Sequence, residues 1–203
     1  MADHYFKPCE NLVIRNCFMG DGHGGVVFGS ESSCGIRNVD VSRCIFKNTD
    51  RGLRIKTKRG RGSKALIENV RFDNILMDGV MACLVVNMFY YLSHEAYDEY
   101  ADSKEYKEVS DLTPHVGEFL FRNMDCLNTK ACVGYFYGLP ESQIDKITLD
   151  HINVTFDKDF KEEVAPAMIY DCEKINNGSF YFYNVKEVVT NDVIIESIPY
   201  QFV

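Results

Sequence analysis

Asn38-Val-Asp-Val-Ser-Arg-Cys44 decides the fold, because its pattern recurs along the chain. Asn11-Leu-Val-Ile-Arg-Asn-Cys17 precedes it; Asn69-Val-Arg-Phe-Asp-Asn-Ile75 and Glu118-Phe-Leu-Phe-Arg-Asn-Met124 follow. Lys146-Ile-Thr-Leu-Asp-His-Ile152 and Glu187-Val-Val-Thr-Asn-Asp-Val193 complete the series. Alternation with period two marks each copy as a strand with one buried face. The copies start 27, 31, 49, 28 and 41 residues apart. The shorter spacings leave no room for a sheet-and-helix unit with both its connections, but they suit one coil of a solenoid carrying several short strands. A coil cannot bury its apolar face alone, so coils stack at ~4.8 Å and place like residues in ladders. The expectation is an all-β, single-domain, right-handed parallel β-helix over residues 1–203. An antiparallel sandwich is the alternative. It calls for Asn-Gly hairpin turns, and Asn177-Gly178 is the only such pair.

Outward from the repeats, Gly24-Gly-Val-Val-Phe-Gly29 and Gly52-Leu-Arg-Ile-Lys56 read as further strands of their coils. Glycines at 20, 22, 24, 25, 29 and 35 are expected to supply the sharp corners between strands. The two long spacings mark insertions. Residues near 92–115 open with an acidic stretch, 92–111, that reads as a helical excursion capped by Ser93. Residues 157–180 form a shorter charged one.

Hydrophobic residues make up 46% and charged residues 26% of the 203, which is globular and argues against disorder. No apolar run is long enough for a membrane span. The opening Met1-Ala-Asp-His-Tyr-Phe-Lys-Pro8 lacks a basic stretch followed by an apolar one, so it shows no signal peptide. A net charge of −8 argues against a general nucleic-acid binder. The charge is uneven. Arg51, Arg54, Lys56, Lys58, Arg59, Arg61 and Lys64 form an island without an acid, as a small polyanionic ligand would require. Eight cysteines include no Cys-x-x-Cys pair, and no His-carboxylate cluster stands at ligand spacing, so neither metal nor cofactor is expected. Cys17 and Cys44 share a repeat position with Ile75, Met124, Ile152 and Val193, which marks them as buried core thiols. A reducing compartment, the cytoplasm rather than the exterior, fits such thiols better than a disulfide framework.

Two motifs lie in the first third of the chain: Gly22-His23-Gly24, and Arg54-Ile55-Lys56 on the next coil. With Cys9–Cys17 before them, and Val86–Tyr91 and Tyr137-Gly-Leu-Pro-Glu141 after, they resemble glycoside hydrolase family 28, the polygalacturonases, in order and spacing. The resemblance implies hydrolysis of α-1,4 bonds of pectin or oligogalacturonides with inversion. Inversion needs one carboxylic acid to protonate the leaving oxygen and one carboxylate to activate water, ~6.5–9.5 Å apart. In the family those acids lie upstream of Gly-His-Gly. Asn48-Thr49-Asp50 falls after His23 and is not given that role, and no Asp-Asp pair exists in the sequence. The expectation is therefore the C-terminal coils of such an enzyme, inactive alone. A non-catalytic pectin-binding β-helix, or one that pairs with a separate N-terminal piece, is the alternative. An exposed N-terminal coil would favour self-association unless residues 1–8 fold over it.

By the same resemblance His23 supports the missing acids and touches the sugar. Arg54 and Lys56 alternate with Ile55, so both point outward and can clamp a uronate carboxylate. Tyr90, with Tyr91 as its competitor, stands near the bond to be cut. Arg51 and Lys58 extend the basic cleft.

Overall fold

The computed structural model describes residues 5–196. Coil after coil, a strand of one sheet is followed by a strand of a second. The chain opens with β1 (Cys9–Arg15), β2 (Phe18–Gly22), β3 (Val26–Phe28), β4 (Ile36–Thr49), β5 (Arg51–Lys56), β6 (Leu66–Asp78) and β7 (Ala82–Asn87). A single helical turn, α1 (Glu99–Asp102), and the short β8 (His115–Val116) come next. Then follow β9 (Glu118–Thr129), β10 (Cys132–Tyr137), β11 (Ile144–Phe156), β12 (Gly178–Tyr183) and β13 (Val185–Ile195). The larger sheet runs β1-β4-β6-β9-β11-β13, with β2 also on β4 and β8 on β6; the smaller runs β3-β5-β7-β10-β12. All these pairings are parallel, so the fold is a parallel β-helix.

The repeat stacks in the register its pattern predicts. Cys44 pairs with Ile75, Ile75 with Met124, Met124 with Ile152, and Ile152 with Val193. Val41, Phe72, Phe121 and Leu149 form a second interior ladder. The rings of Phe46, Phe72 and Phe121 meet at 6.3 and 5.8 Å along the lumen. Cys44 is buried as expected, whereas Cys17, in the first coil, has no preceding coil on it among the described residues and is only half-buried.

Asparagine, more than glycine, turns the corners. Asn11, Asn38 and Asn69 hold φ of 59, 56 and 53°, and their amides chain together: Asn38 Nδ2 donates to Asn11 Oδ1 (3.1 Å), and Asn69 Nδ2 to Asn38 Oδ1 (2.8 Å). The penultimate repeat position, Asn16, Arg43, Asn74, Asn123, His151 and Asp192, is left-handed in every copy, φ 51–59°. This bends each long strand into two arms. Asn and Asp tolerate that conformation, and the stack carries Arg43 and His151 into it. Of the expected corner glycines, Gly22, Gly29 and Gly35 have positive φ; Gly20, Gly24 and Gly25 do not. Gly25 is there for space: a Cβ would meet Gly52 O and the Phe46 ring, each at 3.0 Å.

The insertions differ from expectation in detail. Within 92–111 only α1 is helical, and its N-cap is Asp98, whose carboxylate accepts from Tyr100 N and Ala101 N; Ser93 caps nothing. Outside α1 the segment is turns and irregular chain. Buried Arg59 holds it, donating to the carbonyls of Tyr100, Ser103 and Glu105. Asn177-Gly178 makes no hairpin: its amides bond to Lys130 O and Ala131 O of the previous coil. Of residues 1–8, the first four lie outside the described residues. Tyr5 O accepts from Cys34 Sγ, and Phe6 lies under Lys64 Nζ, 5.5 Å from the ring centroid.

Candidate functional site

The outward face of β5 carries the candidate site. Leu53 and Ile55 are fully buried in the lumen, and alternation sends Arg54 and Lys56 to the other side. Gly52, the second residue of this strand, has no room for a side chain, because a Cβ there would meet Cys83 O and Met77 Sδ at 2.5 Å. In register, Arg54 stands between Val27 and Val85, and Lys56 beside Asn87.

His23 lies at the turn between β2 and β3, one coil before. Gly22 holds φ 147°, in the region that favours glycine, and Asp50 N donates to its carbonyl (2.8 Å). Gly25 N donates to Arg51 O (2.9 Å), so the turn is stitched to the coil below at two points. The side chain of His23 is 92% exposed, and its Nδ1 lies 2.8 Å from Asp50 Oδ2. Arg54 Nη1 reaches the His23 carbonyl at 3.4 Å. Asp50, passed over as part of a misplaced motif, is thus the carboxylate that touches His23. The contact is made by coil stacking, across 27 residues of sequence.

The basic island thins out in three dimensions. Lys58 pairs with Glu95 (3.4 Å), Arg59 with Glu141 (2.6 Å) and Arg61 with Glu31 (2.7 Å). Lys64 stands over Phe6. Arg51, placed in the cleft by sequence, spends its guanidinium on the carbonyls of Asp50, Ala165 and Pro166. Burial, then the charge of Arg54, pushes its pKa down. It clamps the second insertion to the sheet, which leaves its donors occupied. Arg54 and Lys56 remain, half-buried and without a carboxylate partner among the described residues. Burial, and next the neighbouring Arg54, lowers the pKa of Lys56. Its ammonium sits 5.1 Å from the centroid of the Tyr90 ring, a cation–π contact. Tyr90 is nearly buried, and its amide donates to Thr57 O (3.1 Å).

Two insertions wall this face. Met168 lies against Arg54, and its carbonyl accepts from Asn87 Nδ2 and Tyr91 N, both at 2.9 Å. Tyr170 packs edge-on against Tyr91 (5.3 Å) and against Tyr97 of the first insertion (4.7 Å). Glu173 accepts from the hydroxyls of Tyr135 and Tyr183. Tyr91 is therefore packed into the wall, while Tyr90 faces Lys56. A cation pair, a tethered imidazole and an aromatic ring side by side can hold a carboxylate and orient hydroxyl groups around it.

Comparison with known proteins agrees with the sequence resemblance. The family model for Glycosyl hydrolases family 28 matches residues 6–138. An exopolygalacturonase of Arabidopsis thaliana, clone GBGA483, is 35% identical over 85 residues, 40% of this chain and 19% of that protein. A polygalacturonase of Persea americana is 26% identical over 132 residues, 63% of this chain and 28% of its own. The matched stretches thus span less than a third of those relatives. Among solved structures, a hyperthermoactive exopolygalacturonase from Thermotoga maritima superposes with a TM-score of 0.65 at 22% identity, over 93% of this chain and 35% of that one. That likeness shows the shared parallel β-helix. With its motifs, its stacking and the model match over residues 6–138 taken together, the chain belongs to glycosyl hydrolases family 28.

Proposed function

We propose that this chain provides the substrate-binding coils of a pectin-degrading glycosidase, gripping a galacturonate unit through Arg54, Lys56, Tyr90 and His23. One observation carries the reading. Arg54 and Lys56 share one strand face beside His23, without a carboxylate partner among the described residues and set only against the His23 carbonyl, Met168 and the Tyr90 ring, whereas Lys58, Arg59 and Arg61 are paired with carboxylates and Arg51 with carbonyls. The names of the relatives supply the polymer, polygalacturonate, and the proposed bond is the α-1,4 link cleaved with inversion.

Arg51 and Lys58 take lesser parts in this reading. Arg51 fixes the wall, and Lys58 borders the cleft from its pair with Glu95. The chain alone is proposed to bind and not to turn over. Inversion requires two carboxyl groups facing each other across the bond, and the carboxylate found on His23 is committed to its ring. Exposed Val13 and Phe18 on the first strands favour a second reading, in which these coils pair with a separate β-helical piece or with a second copy.

Trigalacturonate titrated into the purified chain, with reducing ends assayed in parallel, tests the proposal. Saturable binding without release of reducing ends is expected. Arg54→Ala should weaken it about 13- to 160-fold, the worth of a charge-assisted hydrogen bond. Binding that ignores Arg54→Ala would refute the site; turnover by the wild-type chain would refute the division of labour.

A further inference from the structure

We infer that Asp50 sets the tautomer of His23, so that the imidazole offers Nε2 as a hydrogen-bond acceptor beside the cationic donors Arg54 and Lys56. The inference rests on reading this face as a uronate site. Nδ1 of His23 lies 2.8 Å from Asp50 Oδ2. An ionised carboxylate has only lone pairs to offer, so the proton in that bond belongs to Nδ1. In the neutral ring Nε2 is then bare. A free imidazole prefers the opposite tautomer, so the carboxylate, and not the ring itself, makes the choice.

The backbone shows why this contact forms. The bond from Asp50 N to Gly22 O brings the start of the second coil's strand directly beneath the histidine turn. Thr49 turns inward and is buried, which sends Asp50 outward. Arg54 Nη1 then touches the His23 carbonyl, so ring and main chain are each held from the next coil. With its side chain 92% exposed, the imidazole has almost no packing to orient it. Asp50, half exposed, supplies direction more than energy.

The consequence is complementarity to a particular ligand class. Two cations offer donors alone. A neighbouring Nε2–H would add a third donor and leave the hydroxyl hydrogens of the sugar without an acceptor. A bare Nε2 takes a hydroxyl hydrogen while Arg54 and Lys56 take the carboxylate. The trio therefore fits a ring bearing both groups, a uronate rather than a neutral hexose. Asp50 is a positioning residue in this scheme and does not touch the ligand.

The test is a long-range 1H–15N correlation spectrum of the uniformly 15N-labelled chain, recorded about two pH units above the ordinary histidine pKa of ~6.5. His23→Gln identifies the signals. Nδ1 of His23 is expected protonated and Nε2 unprotonated in the wild type. In Asp50→Ala the ring is expected to revert to the Nε2–H form, with the His115 and His151 signals unchanged as the control on folding. The wild-type spectrum decides the matter even if that variant misfolds. A wild-type ring in the Nε2–H form, or an Asp50→Ala ring that keeps its proton on Nδ1, overturns the inference and leaves the uronate reading standing.

Added trigalacturonate should shift the His23 Nε2 resonance, and its affinity should fall about 2- to 13-fold in Asp50→Ala, one net hydrogen bond. Galactose, which lacks the carboxylate, should not shift it at the same concentration. An Nδ1–H ring that does not respond to trigalacturonate would uphold the tautomer and overturn the acceptor role together with the uronate reading.

Discussion

Replacing Glu141 by Ala should be among the costliest single changes in this molecule. Arg59 and Glu141 form a bidentate pair, Nε to Oε1 at 2.6 Å and Nη2 to Oε2 at 2.9 Å, with both side chains at 0% exposure. Removing the carboxylate strands a guanidinium that cannot lose its proton. Breaking one partner of such a buried pair costs about 3–5 kcal/mol. The carbonyls of Tyr100, Ser103 and Glu105 and the Phe89 ring, 5.3 Å away, still attend the charge. They place the loss toward the lower end. For a chain of this size each kcal/mol moves Tm by about 2–4 °C, so a loss near 3 kcal/mol lowers Tm by roughly 6–12 °C. Guanidinium unfolding followed by far-ultraviolet circular dichroism gives the free energy directly. Arg59→Met together with Glu141→Leu removes both charges and should recover part of the loss; the three carbonyls left without a donor prevent full recovery. A loss below about 1 kcal/mol in Glu141→Ala, the size of a surface pair, would refute the claim that this pair anchors the first insertion.

Three further outcomes follow from the same structure. Because Lys56 titrates below the usual lysine range and must be charged to hold a carboxylate, trigalacturonate affinity should be full at neutral pH and fall as pH rises, with a midpoint below ~10.4; Lys56→Arg should abolish that fall, and a flat wild-type profile up to that pH would contradict it. Hydrogen bonds from Arg122, then Arg71 and Asn123, hold the Asp73 carboxyl well below the ordinary carboxylate range. Its stabilisation is therefore complete above ~3.9 and lost as pH falls below, so the stability gap between wild type and Asp73→Asn should close in acid; a gap unchanged at pH ~2 would contradict the linkage. Asn69→Ala should cost about 2–3 kcal/mol, from a left-handed backbone and a lost amide ladder, and Asn69→Gly less, whereas a glycine variant weaker than the alanine one would deny the backbone argument.

The ladders were legible in the sequence because stacking repeats the same environment at every coil. Cys44, Ile75, Met124, Ile152 and Val193 are interchangeable apolar fillings of one position, and their alternation alone places them in the lumen. Less visible was the second half of each strand. A run such as Ile36–Thr49 bends at left-handed Arg43, and nothing in an arginine announces a positive φ; the neighbouring copies, with Asn and Asp there, were the available signal. The corners were assigned to glycine when asparagine amides, bonded coil to coil, make several of them. The basic island misled for a different reason. Its partners come from far along the chain: Glu141 lies 82 residues beyond Arg59, and Ala165 lies 114 beyond Arg51. Linear proximity of charges says nothing about which are already paired. Asp50 was hidden in the same way, since its contact to His23 crosses a full coil of 27 residues.

Chemical-shift mapping of trigalacturonate on the 15N-labelled chain is the sharpest test of the uronate site. The face of β5 competes with a polar groove of about 610 Å3 along the strand bends, lined by Arg43, Arg71, Asp73, Asn123 and His151 among others. In that groove Asp73 pairs with Arg71 and Arg122, which leaves Arg43 as the lining cation without a partner among the described residues, against the two cations on β5. Saturable shifts at His23, Arg54, Lys56 and Tyr90, with the bend groove silent, are the predicted result. Shifts centred on Arg43, Arg71 and His151 instead, or none at all, would contradict the assignment of the uronate site to Arg54 and Lys56.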